Sequence, residues 1–424
     1  MDEIYDVVVV GAGLAGLAAA GVAAGAGARV VVLEAHRPGG RAASAERDGY
    51  RLNQGPHALY LGGPAEAVLR ELGVDYHGSP PAGPYYARKG DDVQLWPVSA
   101  STLARTGLVG VRGKVRLGAT LRRIPRIDPA AHAHETAGAW IDGLELPDDA
   151  AAVLRSVTRV GTYSNAFDHL SADAAITQLQ MATTHGVLYL DGGWQTLVDG
   201  LRAVAAGRGV EIRTHATVGR VSAGDGVEVE VDGAPVHARA VVVAAGGPEI
   251  TARLLGIDGA WQDRVGPPSL VSVLDLGLTQ PAARGILMGI DEPFYLSTHC
   301  PPATLAPAGR TLVSLGRYVA PGDTAPSDAD KATLRAHAAA AGITDDTIEM
   351  SRFLYRMTAI AALPVPAAGG LAGRPAVAVP DRPGAFISGD WVGPVGLLSD
   401  ASFASAAAAG KAAAAHAAAQ MVSS

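Results

Sequence analysis

Only one of the 424 residues is a cysteine, Cys300. An internal disulfide framework is therefore excluded, and the chain suits a reducing compartment such as the cytoplasm. Cys300 itself reads as a small buried residue rather than a nucleophile. Aromatic residues make up 5% and charged residues 18%, yet 48% is hydrophobic, which excludes a disordered chain. The formal charge of −7 argues against a nucleic-acid partner. No apolar run has the roughly twenty residues and the hydropathy of a membrane-spanning helix. Ala401–Met421 comes nearest, but it is alanine-rich and carries Lys411 and His416, so it reads as a helix packed on a sheet. The acidic start, MDEIYD, runs straight into a strand pattern, so no secretory leader is expected. No cluster of His, Cys and carboxylates has metal-ligand spacing, and no metal is expected. No GxSxG elbow announces a hydrolase. The length exceeds one ordinary core, so two domains are expected. The 53 glycines and abundant alanine read as coding bias, since strand patterns persist throughout.

What the chain does have is concentrated at residues 6–16, DVVVVGAGLAG. A valine run of this kind reads as a central parallel strand. It breaks into Gly11, Gly13 and Gly16, with separate tasks: a tight turn, close approach of a pyrophosphate, and close packing of helix on strand. Leu17–Ala28 reads as the helix and Ala28–Leu33 as the second strand. Glu34 closes that strand roughly twenty residues after the glycines, where a carboxylate can hold a ribose 2′-hydroxyl and disfavours a 2′-phosphate. A dinucleotide of the FAD or NAD kind is implied.

A second strand-rich block follows at Val210–Thr214, Val218–Ser222, Val227–Val231 and His237–Ala244, with hairpin turns at Asp225-Gly226 and Asp232-Gly233. A final strand, Ala385–Ser388, leads to Gly389-Asp390, a glycine-rich turn and a C-terminal helix. Between these blocks, residues 80–192 read as mostly helical. Residues 269–374 read as strands (Leu270–Gly277, Thr311–Tyr318) with one helix near Asp328–Ala341. The expected fold class is α/β. A discontinuous Rossmann-type nucleotide-binding domain would comprise 1–79, 193–268 and 375–424, and an inserted α+β substrate domain 80–192 and 269–374.

His36–Ala42, HRPGGRA, narrows the reading. The series GxGxxG, Glu34, Gly39-Gly40-Arg41 and Gly55-Pro56-His57, with ISGDWVGPVGLLSDA at Ile387–Ala401, resembles the FAD-dependent amine oxidase and phytoene desaturase superfamily. The resemblance covers the N-terminal block, the middle strands and the C-terminus, and is weak across both insertions. It implies that Gly11, Gly13, Ala15 and Gly16 cradle the pyrophosphate, and Glu34 holds the adenosine ribose. Gly40 and Arg41 would lie against the phosphates and ribityl chain. Val218 would contact adenine, and Gly55, Pro56, His57, Ala58 and Leu59 would line the isoalloxazine. Gly389 and Asp390 would bind ribityl or phosphate-side groups, and Gly396, Leu397 and Leu398 would offer backbone amides to the flavin pyrimidine. A helix starting near Leu398 would set its positive end beside that ring, an effect of about 0.3–1 kcal/mol in exposed sites and more in dry ones.

The closing motif lacks both the cysteine that tethers some flavins and the aromatic cage residue of monoamine oxidases. FAD should therefore be noncovalent and the substrate largely apolar, as in the phytoene desaturase branch. The expected reaction is dehydrogenation by hydride transfer to flavin N5, with O2 or a quinone-like acceptor. The alternatives are an amine or amino-acid oxidase that releases hydrogen peroxide, a flavin-dependent isomerase, and a non-enzymatic lipid-protein chaperone of the Rab escort class. The intact GGR and closing motifs argue against the last.

No catalytic base stands out. His57 either faces the flavin or serves as a hydrogen-bonding packing residue, and Tyr60, Trp194, Tyr295, His299 and Trp391 are candidate pocket residues. Arg105, Arg112, Lys114, Arg116, Arg122, Arg123 and Arg126 form a basic run with no acidic residue between 103 and 126. Leu103, Leu108, Val109, Val111, Val115, Leu117, Leu121 and Ile124 make it amphipathic. It reads either as a peripheral membrane contact on the inner face or as a solvated helix pair or cap over an anionic substrate.

Overall fold

The protein is described here by a computed structural model covering residues 4–97, 99–224 and 226–423. Residues 1–3 and the expected turn residue Asp225 lie outside the described residues. The valine run forms β1 (Tyr5–Val10), followed by α1 (Leu14–Gly25) and β2 (Val30–Glu34). β1 is the middle of a seven-stranded sheet, with β2 on one side and Ala234–Val243 on the other, both parallel to it. Glu211–Thr214 extends the sheet beyond β2 in parallel. Ala234–Val243 is long enough to take two neighbours on one edge. Its first half pairs antiparallel with Val227–Val231, and its last residues pair in parallel with Ala385–Ile387. Strands from the beginning, middle and end of the chain thus share one sheet.

Both faces are covered at the centre of that sheet, which is why β1 and β2 are buried almost throughout, whereas Val227–Val231 toward the edge alternates between buried valine and exposed glutamate. On one face α1 lies with Pro64–Leu72, Gln195–Gly207 and the C-terminal helix Leu398–Ser423. The alanines acquire a purpose here. A Cβ at Gly410 would stand 2.5 Å from the Ala19 carbonyl oxygen, so the C-terminal helix and α1 approach backbone to backbone over small residues such as Ala406, Ala409 and Ala413. The Ala401–Met421 stretch is accordingly a packed helix. Among the described residues no helix is long and apolar enough to cross a membrane.

The second large sheet runs in the order Ile348–Ile360, Ser269–Leu278, Thr311–Val319, Phe294–Cys300, Ile286–Gly289, Tyr85–Lys89, Asp92–Leu95. One face packs against the helices of residues 100–184 and the other against Ser327–Ala340. Here the structure corrects the reading of 80–192 as mostly helical. Helices do fill 100–184, but Tyr85–Lys89 and Asp92–Leu95 are strands, and the former pairs in parallel with Ile286–Gly289. That partner lies about two hundred residues along the chain, so no local pattern marks the pairing.

The tightest point of the first sheet is where α1 meets the glycine loop. A Cβ on Gly16 would lie 1.9 Å from the Gly11 carbonyl oxygen, well inside any permissible contact. Gly16→Ala is expected to cost about 1–3 kcal/mol through overpacking, read as a fall of several degrees in Tm. An unchanged Tm would contradict the packing described.

Candidate functional site

Between the two sheets lies a cavity of about 570 Å3. Its floor at one end is the glycine loop. Gly13 is extended, and a Cβ there would meet nothing within 4 Å, so the backbone faces open space. α1 starts there without a side-chain cap, leaving its first amides and positive dipole end toward the cavity. At the end of β2 the Glu34 carboxylate accepts hydrogen bonds from the amides of Ala12 (2.7 Å) and His36 (2.8 Å), which fixes it beside the loop. The Gly39 amide donates to the Ala12 carbonyl at 2.8 Å, strapping the 39–41 turn to the same loop.

Arg41 crosses the cavity wall to Asp390. Its Nη1 donates to Asp390 Oδ2 at 2.6 Å and to the Ala359 carbonyl at 3.2 Å. The Asp390 side chain is 2% exposed and that of Arg41 41%. Burial works against the Arg41 charge, but the attraction and hydrogen bond of Asp390 outweigh it and hold the guanidinium above its ordinary pKa. Asp390 Oδ2 also accepts from the Ala361 amide at 3.0 Å. Its Oδ1 is buried and has no protein partner, although the residue lines the cavity. A buried carboxylate oxygen left in this state calls for a donor from a bound molecule.

At the other end the lining is Ala58, Val271, Val273, Met357 and Leu398, with His57, Tyr60, Tyr163 and Trp194. His57 Nδ1 donates to the Gly55 carbonyl at 2.9 Å, and its ring meets Trp194 edge-on with centroids 4.8 Å apart. Burial lowers the His57 pKa, against the effect of that hydrogen bond, so the ring is neutral. Tyr60 donates to the Gly161 carbonyl at 2.8 Å and Tyr163 to that of Pro56 at 2.6 Å. Burial pushes Tyr60 up to about 12 and Tyr163 well above its ordinary value, so both are donors and not bases.

Of the expected site residues, Gly11, Gly13, Ala15, Glu34, Gly40, Arg41, Gly55, Pro56, His57, Ala58, Val218, Gly389, Asp390 and Leu398 line this one cavity, as does Tyr60. Gly16, Leu59, Gly396, Leu397, Tyr295, His299 and Trp391 are not on its wall. Gly16 is the helix-packing glycine. Leu59 alternates with Ala58 and Tyr60 and points into the core behind them. A Cβ on Gly396 would face Asp400, and Leu397 is buried in a cluster with Ile360 and Leu363. Trp391 turns away from Asp390, packs on Trp261 at 5.2 Å and donates to the Gly246 carbonyl. His299 stacks on Tyr189 at 3.9 Å, and Tyr295 hydrogen-bonds Tyr189 at 3.2 Å.

The wall residues Tyr163 and Met357 escaped the sequence reading, and so did a residue behind the wall. Buried Arg374 donates to the carbonyls of Asp390 (3.1 Å), Val395 (3.2 Å) and Gly396 (2.9 Å), pinning the turn that delivers Leu398 to the cavity. Leu398 holds φ at +55°, a conformation that branched side chains rarely adopt. Nothing in the local pattern GGLAGRPA marks Arg374, because its partners are backbone atoms.

The family model described as flavin containing amine oxidoreductase matches residues 14–416. A phytoene dehydrogenase of Streptomyces griseus is 48% identical over 71 residues, which is 16% of this chain and 14% of that protein's length. An oxidoreductase from Methanosarcina mazei superimposes with a TM-score of 0.75 at 17% identity, over 95% of this chain and 99% of that one. Cyclohexylamine oxidase from Brevibacterium oxydans gives 0.71 at 16% identity, over 99% and 100%. An engineered putrescine oxidase gives 0.77 at 18%, over 98% and 100%. At such identities the likeness to the solved structures is one of fold.

The imidazoles behind the cavity carry a pH dependence. Burial pushes His299 down to about 3, so it stays neutral where an unfolded chain would protonate it. A group with its pKa lowered on folding supports stability above the unfolded value, about 6.5, and this support is lost as pH falls through the window toward 3. Asp400, raised to about 6 by burial, acts in the opposite sense below that pH. His299→Gln, neutral at every pH, is expected to lose fewer degrees of Tm between pH 7.5 and 5.5 than the parent. Equal losses in both proteins would refute the assignment.

Proposed function

The chain belongs to the flavin containing amine oxidoreductases, and on that premise we propose that it uses noncovalent FAD to dehydrogenate a largely apolar small molecule. The cavity fits the cofactor by its own chemistry: an open extended glycine above a helix N-terminus, a tethered strand-end carboxylate, and an orphaned buried oxygen on Asp390. Gly11, Gly13 and Ala15 would take the pyrophosphate, Glu34 the ribose, and Arg41 and Asp390 the groups between phosphate and flavin. No thiol lines the cavity to form a tether. When bound, FAD supplies a two-electron acceptor whose N5 takes a hydride, with O2 or a quinone-like molecule as the final acceptor.

The protein's part is to position and to exclude water. Val271, Val273, Met357, Ala58 and Leu398 make a dry wall that sets a C–H or N–H bond against the ring, a contribution of orientation rather than of acid–base catalysis. The C-terminal helix begins at Leu398, and its first turn presents Ser399 and Ser402 to the cavity. Its positive end favours the negative charge that gathers on a reduced ring.

The distribution of charge carries the substrate class. Glu34, Arg41 and Asp390 gather with the glycine loops, whereas the far end of the cavity offers apolar groups, neutral His57 and protonated tyrosines. An ammonium group would find no carboxylate there. Anaerobic titration of the yellow protein tests the reading, with bleaching expected from apolar alkene or cyclic substrates and not from an amine panel. Bleaching and peroxide release with amines would overturn the substrate class. Glu34→Ala and Arg41→Ala should each be largely colourless, and full occupancy in both would overturn the site.

Peripheral contact with an anionic membrane forms a second part of the proposal. Val111 (81% exposed) and Val115 (68%) stand one turn apart on helix Val111–Arg123, among exposed Arg112, Arg116, Arg122 and Arg123. The segment 103–126 carries +7 in a chain of −7, which leaves −14 elsewhere. Each basic side chain adds roughly 1 kcal/mol at an anionic surface. Co-sedimentation with phosphatidylglycerol vesicles, but not with phosphatidylcholine, is expected at low salt and should be abolished in Val111→Asp/Val115→Asp. No binding to either vesicle would refute it.

A further inference from the structure

The first turn of the C-terminal helix Leu398–Ser423 holds a buried carboxyl that the fold leaves without a cation. Asp400 is 1% exposed, and the described groups that act on it are a backbone amide and a second acid. Its Oδ1 accepts from the Ala65 amide at 2.8 Å, in the first turn of helix Pro64–Leu72, which has no side-chain cap of its own. Two glycines make the niche: a Cβ on Gly63 would collide with the carboxylate, and one on Gly396 would lie 2.7 Å from the Asp400 Cβ. Burial, with repulsion from Glu66 added, raises the carboxyl to about 6 against the effect of the Ala65 hydrogen bond. The other titratable groups on the surrounding elements are engaged elsewhere. Tyr60 donates to Gly161, Glu71 pairs with Lys411, and Arg374 donates to the carbonyls of the 390–396 turn. Arg70 lies in the last turn of its helix, and exposed His185 lies against Gly62.

The niche lies directly behind the cavity wall. Leu398, Ser399 and Ser402 of the same helix end line the cavity, as do Ala58 and Tyr60 of the segment that leads into Pro64–Leu72. Asp400 stands between these two lining segments and is not on the wall itself, so it touches no bound molecule. A charge in a low-dielectric interior nevertheless acts over several ångströms. Ionised Asp400 places a negative charge in the turn whose positive end faces the cavity, and it cancels part of the help that end gives to an anion there. The neutral acid restores that help.

We propose that Asp400 is the charge-compensating residue of the site, taking up a proton from solvent when a flavin in the cavity is reduced and releasing it on reoxidation. This role rests on the reading of the cavity as an FAD-dependent dehydrogenase site and adds how that site balances charge. The substrate gives a hydride to the ring and a proton to solvent, and the ring gains one negative charge. One proton from solvent then turns the Asp400 carboxylate into the acid. Asp400 acts through its field and takes no part in hydride transfer.

Spectroelectrochemical titration of the holoprotein between pH 5.5 and 8 tests the role, with Asp400→Asn as the variant that keeps an oxygen for the Ala65 amide and removes the charge. In a window whose lower end lies near pH 6, the parent is expected to gain an additional tenfold in the reduction equilibrium for each unit by which pH falls, about 30 mV for a two-electron couple. Asp400→Asn should lack that additional slope, lie above the parent at pH 7.5 and converge with it below the window. Glu66→Gln, which removes the repelling neighbour, should move the window to lower pH. Parallel potential–pH lines for parent and Asp400→Asn would overturn the role, as would an unmoved window in Glu66→Gln, which decides the matter if the first variant holds no flavin. The ligand-free protein gives a second readout. The carboxyl is raised above its unfolded value of about 3.9, so it adds stability as pH falls through about 6. The Tm of Asp400→Asn relative to the parent should therefore be higher at pH 7.5 than at pH 5.5, and an equal difference at both would refute the assignment. Failure of the underlying flavin reading would look different, as a colourless parent protein.

Discussion

The ion pair of Arg41 and Asp390 joins positions 349 residues apart, and the cavity exists in its present form because that pair closes. Arg41 comes from the turn strapped to the glycine loop, and Asp390 from the segment after the last strand of the sheet. Asp390 is also tied to Ala361 at the end of the longest strand of the second sheet. One buried carboxylate thus links three parts of the chain, two of which carry the opposite walls. The desolvation of such a group is costly unless its partners are fixed. Here the backbone of the surrounding turns fixes them, with Arg374 holding the carbonyl of Asp390 itself.

Small residues do comparable work at a larger scale. The approach of the C-terminal helix to α1 depends on alanine and glycine at the contact, as Gly410 over Ala19 shows. The result is a thin layer in which the sheet, α1 and the C-terminal helix share one core. The helix can then begin at Leu398 with its first turn in the cavity. The alanine content, which composition alone assigns to coding bias, is therefore a packing requirement in this region.

Legibility in the sequence followed the range of the interactions. β1, α1 and β2 were plain because a valine run, three glycines and a strand-end carboxylate lie within 30 residues and each has a local reason. The strands of 210–243 were plain because hairpin turns separate them. Gly39-Gly40-Arg41 and the closing segment were legible through resemblance, and the structure brings Gly39, Gly40 and Arg41 together with Gly389, Asp390 and Leu398 on one cavity. The hairpin at 85–95 was missed since its sheet partner is remote. Arg374 was missed since it binds only carbonyls, and Tyr163 and Met357 since nothing in their neighbourhoods announces a wall. Trp391, Tyr295 and His299 were chosen for residue type, and type does not fix direction: each faces a neighbouring aromatic or carbonyl instead of the cavity.

The splitting of one sheet between the two ends of the chain bears on the order of events during synthesis. Ala234–Val243 leaves the ribosome without Ala385–Ile387 beside it, and the glycine loop is made hundreds of residues before Asp390. A nascent chain can thus assemble β1, α1 and β2 early yet cannot close the cavity until residues 385–390 are free to pair with Ala234–Val243 and Arg41. Pairings of such sequence separation are slow to form because the loop entropy is lost before the contacts are gained. A nucleotide that binds only the closed form then acts as the latch of folding, adding about 2.7 kcal/mol when present at a hundred times its dissociation constant. Cofactor binding to the closed form would therefore contribute to holding the two ends of the chain together as well as to the chemistry.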